Sequence, residues 1–146
     1  MQNNRNLKLI VVADINNLKL FTAKGLKIIR LLDNIIIALG ADHKNEKHES
    51  LYQKKSAPGS CFEPHTSYKD IQYQKSSHKI SEHIHHIIST NKGFNSLIIS
   101  ADPKMLGYIR QNLSSTIKKK VIREINKNLI NNSIDEVEHA IFNAKN

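Results

Sequence analysis

The chain has 146 residues, 22 of them Lys or Arg against 13 Asp or Glu, for a formal charge of +9. That length suits a single domain spanning 1–146 with one core, and the positive excess favours a polyanionic partner such as RNA or an anionic membrane. One cysteine, Cys61, excludes an intrachain disulfide scaffold.

The first six residues hold one Arg and three Asn, followed by the apolar run Leu7 to Ala13, interrupted by Lys8. A signal peptide needs a longer apolar stretch and a cleavage site, and a membrane span needs about 20 apolar residues. Neither is recognisable, so a cytoplasmic location is expected. Leu7 to Ala13 reads as a buried first strand. Asp14 to Asn17 reads as a tight turn, and Leu18, Leu20 and Thr22 alternate with Lys19 and Phe21 in a second strand. Lys24-Gly25 turns the chain into a third strand, Leu26 to Leu32, completing an antiparallel meander. Asn34 to Leu39 fits a continued strand or one helical turn. From Gly40 to about Ser77 polar residues dominate, with Pro58-Gly59 and Pro64 as breakers, and a long exposed loop around 40–77 is expected.

Ile80, Ile84, Ile87 and Ile88 then recur at i, i+4, i+7 and i+8, the stripe of a helix packed on a sheet. Asn91 to Asn95, with Gly93, ends it. Leu97 to Ser100 reads as a strand. Asp102-Pro103 supplies an N-cap and first-turn proline to a helix carrying Met105, Leu106, Ile109 and Leu113. Val121 to Ile125 is a further strand, and Asn131-Asn132 a turn. Ser133 to Glu136 has a capping-box pattern, opening a last helix that buries Val137, Ala140 and Ile141. The strands flanking Pro103 to Lys118 can lie parallel, joined by a right-handed helical crossover. The expected fold class is α/β: one layered domain with a mixed sheet of about five strands flanked by helices.

Lys104, Arg110, Lys118, Lys119, Lys120, Arg123 and Lys127 form the densest basic region, opposed locally only by Asp102 and Glu124. They are the candidate nucleic-acid-binding residues, since each phosphate contact adds a salt-dependent term. Tyr108 alone interrupts them, so no platform for stacking bases is evident. His78, Glu82 and His85 share one helix face, with His86 beside them, and are the candidate metal ligands; no fourth ligand stands at suitable spacing. Glu63 and His65, flanking Pro64, are the candidate acid–base pair. No complete catalytic motif is present and no cofactor is expected.

Several stretches together resemble a known bacterial family. They are Ala101 to Gly107, Leu113-Ser114, Glu124 to Leu129 and Asp135 to Glu138, with the opening Val11 to Asp14 and Leu20-Phe21 and the segment Phe62 to Thr66. The family is that of host-attachment proteins, named as required for attachment to host cells. The resemblance implies a fold similar to the middle domain of archaeal and eukaryotic class-I release factors and of Pelota. Those release factors carry a Gly-Gly-Gln tripeptide in a reaching loop, whereas Gln53 to Cys61 here holds one Gly and no Gln after it. Asn126 and Asn128 stand where the family often has Asp, which removes two carboxylates from a candidate acidic site. The reading these features favour is a non-enzymatic cytoplasmic factor that binds RNA or the ribosome through its basic face, with any attachment role indirect. Its rivals are a hydrolase acting on an ester-linked or phosphodiester substrate through the long loop, and a protein–protein adaptor, homo-oligomeric if it pairs through a strand edge.

Overall fold

The computed structural model describes residues 6–37 and 68–143. Its centre is a five-stranded mixed sheet in the order β3-β2-β1-β4-β5. The first three strands are β1 (Leu7–Ala13), β2 (Asn17–Lys24) and β3 (Lys27–Ile36). They pair antiparallel as a meander. β4 (Phe94–Ala101) lies parallel to β1, and β5 (Val121–Asn126) parallel to β4.

Local chemistry accounts for each turn. Asp14 Oδ1 accepts the amides of Asn16 and Asn17 at 2.9 and 2.8 Å, which closes the β1–β2 turn. Gly25, at φ 63°, is the first central residue of the β2–β3 turn, and among the described residues no non-glycine has positive φ. That is the pattern of a type II′ hairpin, which glycine adopts without the Cβ penalty. Of the segment Asn34 to Leu39, residues Asn34 to Ile36 continue β3 as strand, and residues 38–39 lie outside the described residues.

α1 (Tyr68–Thr90) is longer than the isoleucine stripe suggests. Residues 68–77, expected within the long loop, form its first turns; the remainder of that loop lies outside the described residues. Apolar periodicity misses these turns because their buried face is polar. Ser76 Oγ donates to the Ile15 carbonyl at 2.5 Å, and Ser77 Oγ donates to the Gln74 carbonyl and accepts from Asn112 Nδ2. Both of these hydroxyls are thereby satisfied. The helix stops at Asn91, whose Oδ1 accepts the Gly93 amide at 3.1 Å.

The crossover between β4 and β5 consists of two helices, α2 (Pro103–Asn112) and the short α3 (Ser115–Lys118). Asp102 Oδ1 caps α2 by accepting the Met105 amide, with Pro103 in the first turn, and Ser114 caps α3 by accepting the Ile117 amide. After β5, Ser133 and Glu136 close both bonds of a capping box on α4 (Ile134–Glu138), which continues as a π-helical turn to Asn143.

Alternation in the strands splits the core in two. Leu9, Val11, Leu97 and Ile99 face α1 and α2, meeting Ile80, Ile84, Met105 and Ile109. Ile10, Val12, Phe21 and Ile98 face the other way, under Val137 and Ile141. The result is a sheet between two helical layers. β3 forms one edge and leaves Ile29 and Ile36 exposed, while bulges interrupt its register beside Leu20/Phe21 and Thr22/Ala23. Bulges of this kind keep a sheet edge from pairing with another chain. Among the described residues no helix is long and apolar enough to cross a membrane.

Candidate nucleic-acid interface

Strand direction decides where the basic residues go. β1, β4 and β5 are parallel and start at one end of the sheet, and the β2–β3 turn closes at that same end, because Leu7 pairs with both Lys24 and Phe94. Lys8, Lys24, Lys27, Lys92, Lys118, Lys119 and Lys120 therefore come together there, from four segments separated in sequence. The residues 6–8, 24–27, 91–95 and 118–121 include no carboxylate. Glu138, which reaches this region from α4, is committed to the Ile28 amide at 2.7 Å. Lys8 is half-buried, with Nζ donating to the Gly25 carbonyl at 2.8 Å. Lys24, Lys27, Lys92, Lys118 and Lys119 are exposed and have no ion pair among the described residues, and Lys120 is half-buried without one.

The triplet is held firmly by its backbone. The amides of Lys118, Lys119 and Lys120 donate to the carbonyls of Ser114, Ser115 and Ile117, and the Lys120 carbonyl accepts from Leu97 at 2.8 Å. The three side chains are thus anchored at the start of β5 and left for solvent.

The other basic residues singled out in the sequence lie elsewhere, and Lys104, Arg110 and Arg123 have side-chain partners. Lys104 sits in the first turn of α2, at the opposite end of the sheet, with Nζ 2.5 Å from Asp70 and 5.4 Å from the Tyr73 ring centroid. The hydrogen bond to Asp70 holds its ammonium above the usual lysine range. Arg110 grips Glu124 with Nε and a terminal nitrogen, a two-pronged contact that raises its pKa further. Arg123 donates to the Ile141 carbonyl. Lys127 follows β5 at the far end, and its carbonyl accepts from the buried Ser100 hydroxyl at 2.7 Å. Charge density along the chain had grouped what strand direction separates. Conversely, Lys8, Lys24, Lys27 and Lys92 belong to the lysine-bearing end and were passed over; the sequence signal was a lysine at each turn flanking a predicted strand.

The opposite end carries carboxylates engaged in structure. Tyr73 OH donates to Asp102 Oδ2 at 3.2 Å while Oδ1 caps α2. Tyr73 and Tyr108 stack at 6.0 Å between centroids. Burial, and then the neighbouring Asp102 charge, hold the Tyr73 hydroxyl above the usual tyrosine range.

Of the proposed metal ligands, His78 and Glu82 meet on the outer face of α1 at 3.1 Å. His85 does not join them; its Nε2 accepts the Ser114 amide at 3.3 Å and ties α1 to the cap of α3. Among the described residues no three His, Cys, Asp or Glu side chains gather as a metal-binding group. Glu63, His65 and Cys61 lie outside the described residues.

Residues 9–141 match the family described as "Protein required for attachment to host cells". The chain belongs to that family. It is 44% identical over 142 residues to an uncharacterized protein of Rickettsia prowazekii (strain Madrid E), covering 93% of each. Among solved structures, an archaeal translation termination factor aligns over 97% of this chain and 37% of that one, at 10% identity and a TM-score of 0.45. What this member of the host-attachment family offers on its surface is accordingly read from its own residues.

Proposed function

We propose that this host-attachment-family protein is a non-enzymatic cytoplasmic factor that binds RNA, on the ribosome in the first instance, and that its part in attachment is indirect. The observation that carries the proposal is the gathering of lysines from four segments at one end of the sheet, without a carboxylate in any of those segments. Exposed ammonium groups held on a rigid sheet end suit a phosphate backbone, whose contacts position a protein without reading sequence. Of the aromatics at this end, Phe94 is buried at its strand start and Phe142 is half-buried with Lys8 Nζ 6.0 Å from its ring centroid, which supports backbone contact over base stacking as the main source of affinity. The net charge of +9 acts in the same sense by drawing polyanions to the surface.

Co-sedimentation with ribosomes across a salt series tests this. Binding should be strong at low salt, fall steadily as salt rises, and be lost when Lys118, Lys119 and Lys120 are all changed to Glu. Absence of binding at low salt would defeat the proposal.

A further inference from the structure

Beside the lysine triplet lies a cleft of roughly 400 Å3 between the end of α1, the start of β4 and α3. Its lining is of two kinds. Ile88, Phe94 and Ile117 provide an apolar floor, with Phe94 and Ile117 buried and Ile88 half-buried. Lys92 and Lys120 also line it, carried on the two turns that precede β4 and β5. These are neighbouring parallel strands, with Leu97 opposite Val121, so the two lysines border one opening from adjacent turns.

A bare phosphate needs the cations and has no use for the floor; an apolar ligand needs the floor and has no use for the cations. A nucleoside monophosphate unit uses both, with its phosphate at the lysines and its base against the isoleucines and Phe94. The volume falls within the range of about 300–1,000 Å3 that small-ligand pockets occupy. The hydroxyls of Ser89 and Thr116, also in the lining, can donate to or accept from a ribose or a base edge. The His85 bond to the Ser114 amide fixes α1 against α3 and so holds the walls apart at a set distance.

We propose that this cleft binds one nucleoside monophosphate unit, with Lys92 and Lys120 on the phosphate and Ile88, Phe94 and Ile117 beneath the base. The inference rests on the reading of the lysine-bearing end as an RNA-binding surface. It adds to that reading a place where one nucleotide leaves the general electrostatic field and is held individually. The same chemistry is presented by a free nucleotide and by a nucleotide within single-stranded RNA, whereas a duplex keeps its bases stacked and out of reach.

The test is an NMR titration of the full chain with AMP, CMP, ribose 5-phosphate and inorganic phosphate, followed by a single-stranded RNA decamer and an RNA duplex. AMP or CMP should shift the methyl resonances of Ile88 and Ile117 and bind at least tenfold more tightly than inorganic phosphate. K92A/K120A should lower nucleotide affinity tenfold or more, while Lys127→Ala, at the far end of the sheet, should leave it within twofold. Thr116→Trp keeps every lysine but fills the cleft; it should abolish the nucleotide-induced shifts and retain salt-dependent duplex binding. Preference for the decamer over the duplex, lost in Thr116→Trp, would assign the site to RNA; nucleotide binding without that preference would assign it to free nucleotide. Equal affinity for AMP and inorganic phosphate, or shifts that leave Ile88 and Ile117 unmoved, would overturn the inference. If both RNAs bind with unchanged salt dependence while no nucleotide perturbs the cleft, the cleft assignment fails and the RNA-binding surface stands. If neither RNA binds at low salt, the surface itself fails.

Discussion

The two ends of the sheet use charge in opposite ways. Where β1 and β4 finish, carboxylates and cations are consumed internally: Asp14 closes a turn, Asp102 caps α2 and accepts from Tyr73, Asp70 holds Lys104, and Lys19 donates to the Ile130 carbonyl at 2.7 Å. Where β1, β4 and β5 begin, lysines come from the flanking turns, and the carboxylate that reaches them, Glu138, is held by the Ile28 amide. Charge at the first end serves the fold, and the exposed lysines at the second have no ion pair among the described residues. Net charge is therefore a poor guide to a binding face until strand direction has sorted its contributors.

The contrast can be broken by substituting each end and reading both stability and binding. The largest effect belongs to the lysine end. Reversing Lys118, Lys119 and Lys120 should abolish the salt-dependent binding of RNA, while the melting midpoint stays near wild type because their structural bonds run through the backbone. A large loss of stability would place these lysines with the structural charges.

A smaller and opposite pattern is expected for Asp102→Ala. It removes the cap of α2 and the acceptor of Tyr73 OH, costing about 1–2 kcal/mol in denaturant unfolding, with RNA affinity within twofold of wild type. An Asp102→Ala protein as stable as wild type but impaired in binding would invert the roles of the two ends.

The smallest effect is a pH dependence at Tyr73. Its hydroxyl titrates above the ordinary value of 10.0 in the folded chain, through burial and the adjacent Asp102. A raised folded pKa means that the fold favours the neutral phenol. That contribution is complete below the unfolded value and is lost as pH rises through the folded one. Wild type should accordingly lose melting temperature more steeply above about pH 10 than Tyr73→Phe. Parallel curves would show that folding does not raise the Tyr73 pKa.

Most of the architecture was legible in the sequence because its punctuation is local. The Asp102-Pro103 start and the Ser133–Glu136 capping box are decided within four residues, and both appear as read. The hairpin turns at Asp14 and Gly25 are equally local. The first turns of α1 were hidden because Ser76 and Ser77 are buried by hydrogen bonding to Ile15, Gln74 and Asn112, partners whose proximity no periodicity encodes. The basic face was only half legible for a related reason. Lys118 to Lys120 announce themselves as a run, but their company with Lys24, Lys27 and Lys92 depends on β1 lying between an antiparallel and a parallel neighbour. In the same way, the pairing of Lys104 and Arg110 with Asp70 and Glu124 spans 34 and 14 positions.

The central claim is that position in the fold, and not net charge, makes the lysine end the binding face. The most direct measurement compares K118Q/K119Q with K104Q/K127Q, two variants of identical net charge, by RNA filter binding over a salt series. K118Q/K119Q should show weaker binding and a shallower salt slope, while K104Q/K127Q should keep the wild-type slope; equal losses in the two variants would contradict the account.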